Sequence, residues 1–204
     1  MLVEGIVGGT TVATTVGWRP VERIREGDAL LGADGRSRVV ELVRHSPIRP
    51  SGWPASLVPL LVPAGALANR EDLVLLSGQL VLLETGPVDA VMGERSVLVP
   101  AAALDGFGGI ARVRPVDGSV VVSLGFARDE LILASGALLL RCPGSGVASD
   151  PLRAMRARAA RGCPPALSLE QAVALVACLV AAEAGSGLRG AGVYAARDWG
   201  ENLP

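Results

Sequence analysis

A chain of 204 residues suits one medium domain with an appendage, or two small domains, and can bury roughly 70% of its unfolded surface without staples. Half of the residues are apolar but only 3% are aromatic, so the core must come from Val, Leu, Ile and Ala. The net charge is −1 and every basic residue is Arg, which excludes a chain-wide field for nucleic acid or anionic membrane.

Short apolar runs broken by turn signals fill the first 144 residues. Thr11–Thr15, Ala29–Leu31 and Arg38–Val43 are predicted strands, and Ala33-Asp34-Gly35-Arg36 is an Asp-Gly hairpin turn between the latter two. Prolines 47, 50, 54, 59 and 63 predict an irregular loop, because proline removes a ladder donor. Asp72–Leu76 and Leu80–Glu84 read as strands flanking Ser77-Gly78, and Ser96–Pro100, Ser119–Leu124 and Leu131–Ala134 follow in the same style. The pattern is mainly β, a sandwich or compact barrel-like fold.

The character changes at Pro143-Gly144-Ser145-Gly146. Ser149-Asp150-Pro151 is a helix start, and the segment behind it ends at Gly162. A second helix opens at Ser168, whose spacing to Gln171 fits a capping box, and runs to Ala184. The domain boundary is therefore expected at 144/145, with a two-helix extension over 145–204. Helix 168–184 is apolar on nearly every side, which predicts burial, against the β domain or in an interface with a protein partner such as a second copy.

The stretch GIVGGTTVATTVGWRPVERIREGDALL (5–31) resembles the opening of the Hint (hedgehog/intein) family, in its bacterial branch. That branch reads roughly C-F-x-x-G-T-x-I-x-T-x-x-G-W-R-P-V-E-x-L-x-x-G-D. Gly9, Thr10, Thr14, Gly17, Trp18, Arg19, Pro20, Val21, Glu22, Gly27 and Asp28 match in unbroken register, but the leading cysteine is Gly5. DLVLLSGQLVLLE (72–84) resembles the family's Ser-x-x-His segment, with Leu76 in place of Ser and Gln79 in place of His. VSLGFARDELILASG (122–136) is similar to a third segment, its two histidines falling on Ser123 and Asp129 and its acidic residue on Glu130. Residues 62–72 and 97–106 also sit where the family has similar segments. The resemblance implies a mainly β fold of two pseudo-symmetric hairpin subdomains over 1–144.

It also implies a chemistry of autoprocessing or protein splicing, in which the bond before the first residue becomes an ester or thioester. That step needs a Cys, Ser or Thr to attack the preceding carbonyl, and an acid to protonate the departing amide nitrogen. Gly5 has no side chain, and Gln79 can donate a hydrogen bond but no proton near neutral pH. Glu130 keeps the family's carboxylate, one methylene longer, with no partner expected for it. Only Met1–Glu4 precede Gly5, which leaves almost nothing upstream to release. The expectation is a degenerate site, a domain inactive in autoprocessing and retained as a structural or partner-binding module. The alternative is an active domain with an unorthodox nucleophile such as Thr10.

The remaining candidates read as structural. Thr10 and Thr14 are taken as turn and strand residues with satisfied hydroxyls, and His45, beside prolines, as a surface loop residue. Arg153, Arg156, Arg158 and Arg161 read as a solvated helix face, with no aromatic residues near for base stacking. Cys142, Cys163 and Cys178 show no C-x-x-C spacing and only one His accompanies them, so neither a metal nor a cofactor is expected. The N-terminus lacks a signal-peptide pattern, and Ala172–Ala182 is about half a membrane span, so a cytoplasmic chain is expected.

Overall fold

The computed structural model describes residues 4–48, 54–84, 95–114, 118–145 and 163–186. Among them lie fourteen strands and one α-helix, α1 (Leu169–Ser186). One sheet contains β1 (Ile6–Val7), β6 (Leu42–Pro47), β7 (Leu60–Val62), β8 (Leu73–Leu75), β11 (Ala111–Arg112) and β12 (Val120–Gly125), in the order β11-β7-β8-β1-β12-β6. The other contains β2 (Thr11–Thr14), β3 (Gly17–Pro20), β4 (Ala29–Leu31), β5 (Ser37–Val39), β9 (Leu80–Glu84), β10 (Ser96–Pro100), β13 (Glu130–Ala134) and β14 (Leu138–Cys142). Its order is β10-β9-β14-β13-β2-β4-β5, with β3 paired to β2. The chain passes from one sheet to the other repeatedly, so each sheet draws strands from both halves of the sequence. This is the mainly β Hint-like arrangement that the resemblance implies.

Alternation explains how β1, β8 and β12 serve two packing layers. Ile6, Leu75 and Val122 point to the main core, which is built almost wholly from Val, Leu, Ile and Ala. Their neighbours Val7, Leu76 and Val121, with Ile48, point the other way and form a second small cluster.

Several expectations change. Arg38–Val43 is two strands, because Val40 donates to the Asp28 carbonyl and Glu41 to that of Gly125, and the chain moves from one sheet to the other. The expected proline loop contains β7, which fits between Pro59 and Pro63 because neither occupies a ladder position inside it. Pro47 ends β6, and His45 is an exposed residue of that edge strand, opposite Val122, rather than of a loop.

The C-terminal segment docks on the β core. Leu98 donates to the Pro165 carbonyl and Leu167 to that of Leu98, adding a rung beside β10. The predicted capping box is formed: the Gln171 amide donates to Ser168 Oγ at 3.2 Å, and the Ser168 amide to Gln171 Oε1 at 2.9 Å. Ala172, Leu175, Val176 and Leu179 then pack on β10 and on the 3-10 turn Ala101–Leu104. The helix is therefore half buried rather than wholly buried, since Leu169, Val173 and Val180 are 42%, 50% and 47% exposed. The helix expected from Ser149 and the cluster Arg153, Arg156, Arg158 and Arg161 lie outside the described residues. Among those described, no helix is long and apolar enough to cross a membrane.

Candidate functional site

β1 lies between β8 and β12, so its start meets the end of β8 and the middle of β12. This brings Gly5, Gln79 and Ser123 together. The Gly5 amide donates to Gln79 Oε1 at 3.2 Å. The Gln79 amide nitrogen donates to the Arg141 carbonyl at 2.8 Å and to that of Leu80 at 3.2 Å. Gln79 is buried, and its side chain is engaged at both ends. Gln79 thus presents to the residue 5 N–H a carbonyl oxygen that accepts a hydrogen bond and carries no proton.

Position 5 is strained for any residue with a side chain. Its φ is +142°, in a region essentially confined to glycine. A Cβ built there would run into Val121 Cγ1 and stand 3.4 Å from Ser123 Oγ.

Asp129 lies beyond Gln79, tied to it through Arg141. The Arg141 guanidinium donates to Asp129 Oδ2 at 2.7 and 3.0 Å and to Glu4 Oε2 at 3.2 Å, while the Gly144 amide donates to Asp129 Oδ1 at 3.0 Å. The sequence reading missed Arg141 and Glu4. The alternation in LLLRC (138–142) was the available signal, since it places one charged residue inside an apolar strand. Cys163 also reaches this corner and donates its S–H to the Asp129 carbonyl at 3.7 Å. Burial, and after it the Asp129 carboxylate, push the Cys163 thiol above its ordinary range. That keeps it protonated and a poor nucleophile.

Glu130 is not part of the cluster, and the expectation that it lacks a partner is wrong. Its carboxylate accepts from Arg38 Nε at 2.7 Å and Arg128 Nε at 2.8 Å. Arg38 also donates to Asp34 Oδ2 at 2.8 Å, so Glu130 serves to fasten β13 to the β4–β5 hairpin. His45 is separated from β1 by β12. Ser77, fully buried in the β8–β9 turn, has the one side-chain oxygen among the described residues that is buried without a partner. No three His, Cys, Asp or Glu side chains among the described residues gather as a metal site requires.

The residues that match the opening motif have structural work instead. Glu22 Oε2 accepts from the Gly9 amide at 3.0 Å, and the Val21 amide donates to the Thr10 carbonyl. Thr14 Oγ1 donates to the Gly17 carbonyl at 2.6 Å and accepts from the Val16 amide, which closes the β2–β3 hairpin. Asp28 accepts from Arg19 and from the Arg25 amide, and the Arg70 guanidinium lies 5.8 Å from the Trp18 ring centroid.

A family model described as the Hint domain matches residues 5–139, about two thirds of the chain, beginning at Gly5 itself. The chain belongs to the Hint domain family. This Hint domain is similar to two crystal structures of the MchDnaB-1 intein, both at 17% identity. They align over 69% and 67% of this chain and 99% and 98% of the intein, with TM-scores of 0.42 and 0.41. The gp41-1 intein is similar at 13% identity, over 68% of this chain and 98% of the intein, with a TM-score of 0.39. No curated protein sequence matches the chain significantly.

Proposed function

We propose that this Hint domain, residues 1–144 with a helical extension over 145–204, is inactive in autoprocessing and persists as a structural or partner-binding module of the cytoplasm. The observation that carries the reading is the pairing of Gly5 with Gln79. The side chain that meets the residue 5 amide, at 3.2 Å, is itself a neutral carboxamide with no proton to give near pH 7. The residue bearing that amide has no atom to attack the preceding carbonyl. Nucleophile and acid act as a unit, so losing both leaves little residual rate.

The alternative nucleophile, Thr10, gains no support from its surroundings. It is buried where β1 passes into β2, its amide donates to the Val7 carbonyl, and its own carbonyl accepts from Val21. Intact-mass spectrometry decides between the readings. With a carrier domain fused ahead of residue 1, the purified protein is expected to keep a single mass through long incubation at neutral pH with thiol or hydroxylamine. A fragment pair broken before Gly5 or before Thr10 would overturn the proposal.

A further inference from the structure

We infer that Val121 is the residue that closes the nucleophile position, so the site is blocked sterically as well as chemically disarmed. The inference rests on reading position 5 as the vacated nucleophile position. Gly5 immediately precedes β1, and a Cβ built on it would face Val121 and Ser123, which share one face of β12. Val7 stands opposite Val121 in the antiparallel pair. Leu76, at the position where the resemblance calls for Ser, joins Val7, Ile48 and Val121 in the second apolar cluster, and Val74 packs against it. A reactive cleft needs room for a side chain and for the tetrahedral carbon it forms. Here that room is occupied by methyl groups.

The geometry separates Val121 from its neighbours. A Cβ at residue 5 would meet Val121 Cγ1 far inside van der Waals contact, but Ser123 Oγ only at 3.4 Å and the Val122 carbonyl at 3.5 Å. Val121 cannot yield easily, because its β-branched side chain is stiff about χ1 and is packed among Val7, Ile48 and Leu76. The positive φ at Gly5 is a second barrier that lies in the backbone. Replacing Gly5 and Gln79 by the family's cysteine and histidine therefore restores the reacting groups without the space one of them needs. Val121 is a third position that sets what residue 5 can be.

A double-mutant cycle on the full chain tests this without relying on cleavage, so its outcome is separable from that of the inactive reading. Thermal unfolding is followed for Gly5→Ala, Val121→Ala and the double variant, with Ser123→Ala in the Gly5→Ala background as a control. Each single change is expected to lower Tm, Gly5→Ala by overpacking and Val121→Ala by lost burial. In the Gly5→Ala background, Val121→Ala is expected to raise Tm by about 3 °C or more, a clear departure from additivity for a chain of this size. Ser123→Ala is expected to give no such recovery. If Gly5→Ala alone fails to fold, a folded double variant supports the inference. Additive losses, equal recovery by Ser123→Ala, or failure of both the single and the double variant to fold would overturn it and leave the backbone as the barrier.

Discussion

Cys142 and Cys178 show how position alone divides residues of one chemistry. Cys142 faces the main core, where burial pushes its thiol up to about 12, whereas Cys178 is exposed on α1. A thiol reagent at pH 8 is expected to modify Cys178 in the native protein and Cys142 only after unfolding, as read by mass mapping. The same contrast gives a pH dependence. Below about pH 9 both folded and unfolded states keep the Cys142 proton, and the stability it contributes is complete. Between pH 9 and 12 the unfolded thiol ionises while the folded one does not, so that stability is lost as pH rises. Urea titrations from pH 8 to 10.5 are expected to show wild type losing stability faster than Cys142→Ala, by at most on the order of 1 kcal/mol per pH unit. Equal slopes would refute the assignment.

α1 is held by its cap and by one stripe of side chains. Its N-terminal amides would otherwise lack partners, and the reciprocal Ser168–Gln171 bonds satisfy two of them. Ser168→Ala is expected to cost about 1 kcal/mol. Leu179→Ala removes a fully buried side chain from the contact with β10 and the 3-10 turn, and is expected to cost about 2–5 kcal/mol. Chemical denaturation measures both, and a Leu179→Ala loss below that of Ser168→Ala would contradict the packing described. The cap was readable from sequence because it is local, two residues three positions apart bonding to each other. The burial was not, since an all-apolar helix does not say which stripe meets the β core. β7, β11 and β14 went unread because they are short or proline-flanked, and β11 is defined only by its pairing with the distant β7.

On the scale of the whole molecule, a polar crossing joins the two sheets near Asn69. Its side-chain amide donates to the carbonyls of Val62, Pro63 and Glu71, and its oxygen accepts from the Leu67 amide. Beside it, Arg70 donates to the Ser135 carbonyl, Ala137 to that of Ala68, and Ser135 to that of Thr11. The β7–β8 connection is thereby fastened to the β13–β14 turn. Asn69→Ala would remove two buried and two part-buried bonds to the backbone, and at about 1–3 kcal/mol for a buried group left without a partner the loss is expected to be about 2–4 kcal/mol. A loss under about 1 kcal/mol in urea unfolding would mean that the crossing is not a structural tie.

The sequence by itself determined the fold family, the strand-rich core of aliphatic residues, the Asp-Gly turn and the helix cap. Each of these is written in neighbouring residues, through alternation, turn chemistry or a motif in unbroken register. It also singled out Gly5 and Gln79 as the positions on which the proposed loss of autoprocessing turns. Only the tertiary structure decided that these two touch, that Arg141 and Glu4 join Asp129, that Glu130 belongs to the Arg38 hairpin, and that Val121 fills the space at residue 5. The physical reason is separation along the chain: Gly5 and Gln79 are 74 positions apart, and Arg38 and Glu130 are 92 apart. Strand pairing sets such contacts, and a strand's own pattern gives the face it buries but not which distant strand lies beside it.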